Sequence, residues 1–128
     1  MYQIDIMSRT PVYEQIVTQT ERFVLTGILK PGDQLPSVRQ LSLSLSLNPN
    51  TIQKAFTELE RRGITVSAAG RGIFIRSDVA ETATLYRDRL LNEFKIQAQT
   101  LKSYGLDQSA LEKALNEVFT NEGGFDQK

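Results

Sequence analysis

The sequence predicts a mainly α-helical fold with one small β-hairpin, followed by a further pair of helices. Three observations predict it. Caps or cap-plus-proline pairs open four stretches, at Thr10-Pro11, Ser37, Asn48-Pro49 and Asp78. Within each stretch apolar residues recur mainly at three- and four-residue spacing, the period of a helix with one buried face. Between Ile64 and Ile75 the pattern changes to two short apolar runs split by Ala69-Gly70-Arg71-Gly72, a loop able to take positive φ and hence a hairpin signal.

The elements follow in order. Thr10 is placed to cap a first helix with Pro11 at its first position, where the missing N–H costs nothing. Tyr13, Ile16, Thr20, Phe23 and Val24 line its inner side, and Gly27 ends it. Pro31-Gly32 reads as a tight turn. Ser37 and Gln40 form a capping box, so a second helix starts at Val38, with Val38, Leu41 and Leu45 on one face. The run Ser42-Leu43-Ser44-Leu45-Ser46-Leu47 alternates like a strand, yet caps bracket it on both sides, which favours helix to about Leu45. Asn48-Pro49 opens a third helix whose Ile52, Ala55, Phe56 and Leu59 make a core-facing stripe. Arg61 and Arg62 suit its last turn and Gly63 stops it. Asp78 and Glu81 are spaced as a capping box for a long helix over residues 79–104, ended by Gly105. Asp107 caps a last helix reaching about Phe119, and a flexible tail is expected over residues 120–128.

Composition narrows the function. With 128 residues and 40% apolar content the chain suits one globular domain, or one plus a short appendage. It has no Cys and no His, which removes disulfides, thiolate or imidazole metal sites, and Cys or His catalysis. No Gly-rich phosphate loop, membrane span or secretion signal is present. The expectation is a cytoplasmic protein that is not an enzyme, with no cofactor and no metal. The net charge is zero, but its distribution is uneven: residues 1–76 hold nine Lys/Arg against six Asp/Glu, and residues 77–128 hold six against nine. Such asymmetry hints at a basic working surface in the first part.

Two short helices joined by a tight connection, the second with a polar outer face, and then a hairpin, make the layout of a winged helix-turn-helix. The outer side of the third helix carries Asn50, Thr51, Gln53, Lys54 and Thr57 near its N-terminus, where recognition helices meet base edges. Asn and Gln pair with adenine, Lys reaches guanine or phosphate, and a Thr methyl touches thymine. Gly70-Arg71-Gly72 at the hairpin tip is a wing suited to a narrow minor groove. Each feature alone has an ordinary reading, as a solvated helix face, a plain turn, or an Arg39 that neutralises Glu58 or Glu60. Their conjunction in this order points to double-stranded DNA.

The sequence resembles the GntR family of transcription regulators, and within it the YtrA subfamily. Gly32-Asp33-Gln34-Leu35-Pro36-Ser37-Val38-Arg39-Gln40-Leu41 is similar to the family's G-x-x-L-P-S-x-R-x-L pattern. Asn48-Pro49-Asn50-Thr51-Ile52-Gln53-Lys54-Ala55-Phe56, then Leu59-Glu60 and Gly63, resemble its recognition helix, and Gly70-Arg71-Gly72-Ile73-Phe74-Ile75 resembles its G-R-G-T-F-V wing. The resemblance implies DNA contacts at Arg39, Asn50, Thr51, Gln53, Gly70 and Arg71. The chain departs from many members at Pro49 and Gln53, where an arginine is frequent. The full candidate DNA-binding set is Ser37, Arg39, Asn48, Asn50, Thr51, Gln53, Lys54, Gly70, Arg71 and Gly72.

The second part is too short for the separate ligand-binding domain of larger family members. Its long helix has Ala83, Tyr86, Leu90, Phe94, Ala98 and Leu101 along one side, and the last helix adds Leu111, Leu115, Val118 and Phe119. That is more apolar surface than two helices hide alone. The expectation is a DNA-binding domain over residues 1–76 and a helical dimerisation region over 77–119. Its seam is made by Tyr86, Leu90, Phe94, Leu101, Leu115 and Phe119. The whole would act as a homodimeric repressor on a palindromic operator, with transporter genes suggested by the subfamily. The rival reading is a winged-helix protein-interaction adaptor without DNA binding. Operator, effector and regulated genes are not encoded in any residue pattern here.

Overall fold

A computed structural model describes residues 1–120; the tail expected from residue 120 lies, from 121 onward, outside the described residues. The elements run α1 (Val12–Leu25), α2 (Val38–Leu45), α3 (Pro49–Arg61), β1 (Thr65–Ala68), β2 (Gly72–Ile75), α4 (Val79–Ser103) and α5 (Gln108–Thr120). They fall into two compact units, Met1–Leu85 and Tyr86–Lys128.

In the first unit α1, α2 and α3 surround one core. Ile16 and Val17 from α1, Leu41 from α2, and Ile52, Ala55, Phe56 and Leu59 from α3 are all buried there. The α3 stripe is buried as its spacing predicts, so positions 50, 53, 54 and 57 are left on the opposite face. Two core members come from beyond the span from α1 to β2, one on each side of it. Tyr2 is only 8% exposed and donates or accepts a 2.6 Å hydrogen bond with the Thr20 hydroxyl, while its ring meets Phe23 edge-on. Val79, on the first turn of α4, is 3% exposed.

The helix starts are set locally, with two differences from the sequence reading. Thr10 does not cap α1; Pro11 is itself the cap residue, in an extended conformation, and its carbonyl accepts the Gln15 N–H. Proline's fixed φ serves at the cap, and the helix begins at Val12, one residue later than expected. Asp78 and Glu81 do not close a capping box either. The Asp78 carboxylate takes two nitrogens of the Arg76 guanidinium, at 2.8 and 2.9 Å, and the Glu81 N–H goes to the Asp78 backbone carbonyl. A bidentate charged partner outcompetes a single backbone N–H for the same oxygens. The Ser37–Gln40 box is complete, and Asn48 and Asp107 cap as expected, accepting from Asn50 and Ala110.

The alternating Ser-Leu run is helical to Leu45 and is stopped by Ser46, which adopts φ 55, ψ 47. The first five residues form no helix or ladder, a turn and bends follow over residues 6–10, and side-chain amides of α1 hold this segment. Gln19 bonds both the N–H and carbonyl of Gln3, and Gln15 bonds both groups of Asp5. Residues two apart in this segment thus meet residues four apart on the helix. Near the other end of α1, Glu21 is 6% exposed and is matched by Arg62 at 2.9 Å. Burial of that carboxylate demands a paired cation.

β1 and β2 form an antiparallel hairpin, Thr65 opposite Ile75 and Ala68 opposite Gly72. A third stretch joins it, unforeseen in the sequence: Gln34 pairs with Phe74, with bonds from Leu35 N–H to the Ile73 carbonyl and from Ile75 N–H to the Asp33 carbonyl. The Lys30–Asp33 turn that leads into it places Gly32 at φ +86. In the second unit most large apolar side chains of α4 and α5 are exposed, and α5 has no buried residue.

Candidate nucleic-acid interface

The candidate residues of the first unit sit on three elements. Ser37 occupies the α2 cap, its hydroxyl accepting from the Gln40 N–H at 3.0 Å. Arg39 follows in the first turn of α2 and is exposed. Asn48 caps α3, its side chain already engaged by the Asn50 N–H. Asn50, Gln53 and Lys54 are exposed on α3, and Thr51 is half-buried. Gly70, Arg71 and Gly72 are exposed at the hairpin tip. The caps therefore shape the helix entries, and the side chains left for an incoming partner are Arg39, Asn50, Gln53, Lys54 and Arg71.

The electrostatics separate two groups of cations. Arg61, Arg62 and Arg76 are each tied to a carboxylate: Arg61 and Arg62 to Glu58, Arg62 also to Glu21, and Arg76 to Asp78. Hydrogen bonds from Arg61 and Arg62 hold the Glu58 carboxyl far below its usual range, at a pKa of about 2. Arg39, Lys54 and Arg71 have no ion pair among the described residues. The carboxylates considered as neutralisers of Arg39 are engaged elsewhere, Glu58 as above and Glu60 by the Ser67 hydroxyl at 2.9 Å.

Three features lay beyond sequence reasoning. The Lys54 ammonium rests 4.1 Å from the centre of the Tyr13 ring, a cation–π contact that links α3 to the start of α1. Gln53 bonds the Thr57 hydroxyl at 3.3 Å, and both line a groove of about 520 Å³ whose other wall is Ser67 and Ile73 of the hairpin. Gln34 reaches the wing tip, its amide donating to the Arg71 carbonyl at 3.0 Å. Apart from the Gln53–Thr57 bond, an i, i+4 pair within α3, no local pattern signals these, because they depend on elements brought together only by folding. A polar helix face beside a glycine-tipped hairpin, with unpaired cations on both, is suited to nucleic-acid phosphates and base edges. Among the described residues no acidic cluster suits a metal ion, and no helix is long and apolar enough to cross a membrane.

The comparisons with known proteins agree with this geometry. The pattern of bacterial regulatory proteins of the gntR family matches residues 12–75. The HTH-type transcriptional repressor YtrA of Bacillus subtilis (strain 168) is 51% identical over 82 residues, which cover 64% of this chain and 63% of the repressor. The HTH-type transcriptional regulator YhcF of the same organism is 36% identical over 118 residues, 91% of this chain and 95% of YhcF. A crystal structure of a transcriptional regulator from Oenococcus oeni aligns with TM-score 0.75 and 32% identity, covering 93% of this chain and 99% of that one. The winged helix-turn-helix, the two further helices and these likenesses together make the chain a member of the GntR family of bacterial regulatory proteins, in its YtrA subfamily.

Proposed function

We propose that the chain is a sequence-specific DNA-binding repressor that grips a palindromic operator as a homodimer in the cytoplasm. The observation that carries the reading is the division of the basic residues. Arg39, Lys54 and Arg71, on α2, α3 and the wing, lack carboxylate partners among the described residues, while Arg61, Arg62 and Arg76 are neutralised within the fold. In this reading Asn50, Thr51 and Gln53 meet base edges, Lys54 meets a phosphate from its seat on Tyr13, and Arg71 enters the minor groove. Ser37, Asn48, Gly70 and Gly72 shape the approaches. Residues 1–76 form the DNA-reading part, with the first turns of α4 completing its core, and residues 77–119 dimerise.

The dimer rests on the second unit's uncovered apolar side chains. Leu90 is 42% exposed, Phe94 53%, Leu101 39%, Leu115 42% and Phe119 76%, with Tyr86 half-buried beside Arg89. Soluble monomers rarely leave large apolar patches in water, and these side chains recur along α4 and α5. A second copy related by a two-fold axis would cover it and present two wings to two half-sites. The likeness to the YtrA type extends the proposal to control of a transporter operon.

The test is equilibrium binding to a duplex recovered by the wild-type chain from a randomised DNA pool, measured across salt concentrations. Affinity should fall steeply with salt. Arg39→Ala and Lys54→Ala should weaken binding while the melting temperature stays close to wild type, and Lys54→Ala should reduce the salt slope by about 1 per subunit. Unchanged affinity in both variants would remove this surface from the interface. Failure to recover any duplex would favour the protein-interaction adaptor.

A further inference from the structure

Gln34 lies outside every contact set the sequence offers, yet it is the side chain that touches the wing tip. It belongs to the segment between α1 and α2, and its amide nitrogen donates to the Arg71 carbonyl at 3.0 Å across 37 residues of chain. Its own backbone is fixed, paired opposite Phe74 and flanked by the Leu35–Ile73 and Asp33–Ile75 hydrogen bonds. Gly72 makes the room. A Cβ there would collide with the Gln34 amide, and Gly72 holds φ +122, a conformation that side chains avoid. The hydrogen bond and the missing Cβ are independent features that serve one contact. Without it the loop between β1 and β2 is closed by the Arg71 N–H to Ala68 carbonyl bond.

We propose that Gln34 is a positioning residue for the wing, holding the Arg71 backbone so that the arginine side chain meets the minor groove already ordered. A long side chain on a loose loop loses freedom when it binds, and a braced peptide removes part of that cost beforehand. The proposal rests on the DNA-binding reading above. Gln34 acts through Arg71 and makes no DNA contact of its own.

Two variants test it. Gln34→Leu keeps the bulk and removes the donor; Gln34→Glu keeps the shape and turns a carboxylate oxygen toward the Arg71 carbonyl. The probe is the pool-recovered duplex with A·T-rich or G·C-rich flanks. Each variant should weaken binding to the A·T-flanked duplex about five- to tenfold, the usual effect of one lost hydrogen bond. The loss on G·C-rich flanks should be smaller, because a narrow minor groove is what an arginine senses. In an Arg71→Ala background the same substitutions should change affinity less than about twofold, since two residues acting as one unit are not additive. Amide exchange at Arg71 and Gly72 should quicken in both Gln34 variants without a change in melting temperature.

Equal losses in both backgrounds would overturn the proposal, since Gln34 would then act independently of Arg71. So would unaltered affinity in the Gln34 variants where Arg71→Ala itself weakens binding, or a loss in the Gln34 variants where Arg71→Ala is harmless. If the wild-type chain recovers no duplex, the DNA reading fails separately. Amide exchange then decides the brace alone: unchanged exchange overturns it, and faster exchange at Arg71 and Gly72 upholds the contact.

Discussion

Thr65 is fully buried at the start of β1, and its hydroxyl has no hydrogen-bond partner. A buried, unsatisfied hydroxyl costs about 1–3 kcal/mol. Valine has nearly the same shape and suits a strand. Thr65→Val should therefore stabilise the chain by about 1 kcal/mol, read as a higher urea midpoint at unchanged slope; a lower midpoint would show that the hydroxyl is satisfied after all. At this scale the sequence showed which residues face inward on α3, because their spacing is a property of one helix. It did not show which polar side chains meet. Arg62 and Glu21 lie 41 residues apart, and Gln34 and Arg71 lie 37 apart. Nothing in a local pattern marks such pairs, and the candidate site was legible as a set of exposed cations and amides without their supports, Tyr13 and Gln34.

Element boundaries were legible where a cap has no competitor. The Ser37–Gln40 box and the Asn48 cap opened α2 and α3 as read. The Asp78 cap was not legible, because Arg76, two residues upstream, claims the same carboxylate. The end of α2 was ambiguous because serine there stands in a left-handed conformation, φ 55, that glycine more often supplies. That conformation costs an L-residue about 1–2 kcal/mol. Ser46→Gly should relieve it and return part of the gain to the unfolded chain, leaving the thermal midpoint higher; a drop would point to a contact made by the serine itself. The α3 terminus carries a pH signature. Glu58 is held at a pKa of about 2 by Arg61 and then Arg62, below the ordinary carboxylate value of 4.5. A depressed folded-state pKa contributes stability that is complete above 4.5 and lost as pH falls toward 2. Glu58→Gln should flatten the acid side of the stability profile over that window, and an unaltered profile would show that the ion pairs do not form in solution.

For the whole molecule the decisive quantity is the apolar surface of α4 and α5. Phe94 and Leu90 stand midway along α4 and are 53% and 42% exposed. A carboxylate at position 94 would cost several kcal/mol if forced into an apolar seam. Phe94→Glu should sediment as a folded monomer that binds a half-site weakly and the full palindrome no better. A wild-type chain that sediments as a monomer at micromolar concentration, or full operator affinity in Phe94→Glu, would contradict the dimer. The fold class was legible at this scale, since helix count, hairpin and order all follow from periodicity and turns. The stretch that bridges to β2 through Gln34 was not, because residues 33–35 lack an alternating pattern of their own and take their conformation from β2.

The roles of Tyr2 and Val79 bear on how the DNA-reading part is cut out for transplantation. The family pattern spans residues 12–75, but the folding unit does not end there. Tyr2 fills the core from before α1, and Val79 from after the wing. Gln15 and Gln19 hold the backbone of Asp5 and Gln3 against the helix. A fragment trimmed to the matched residues would carry two vacated core positions and two stranded amides. A chimaera built to swap recognition between relatives should be spliced within α4 beyond Val79 and should keep the leader from Tyr2.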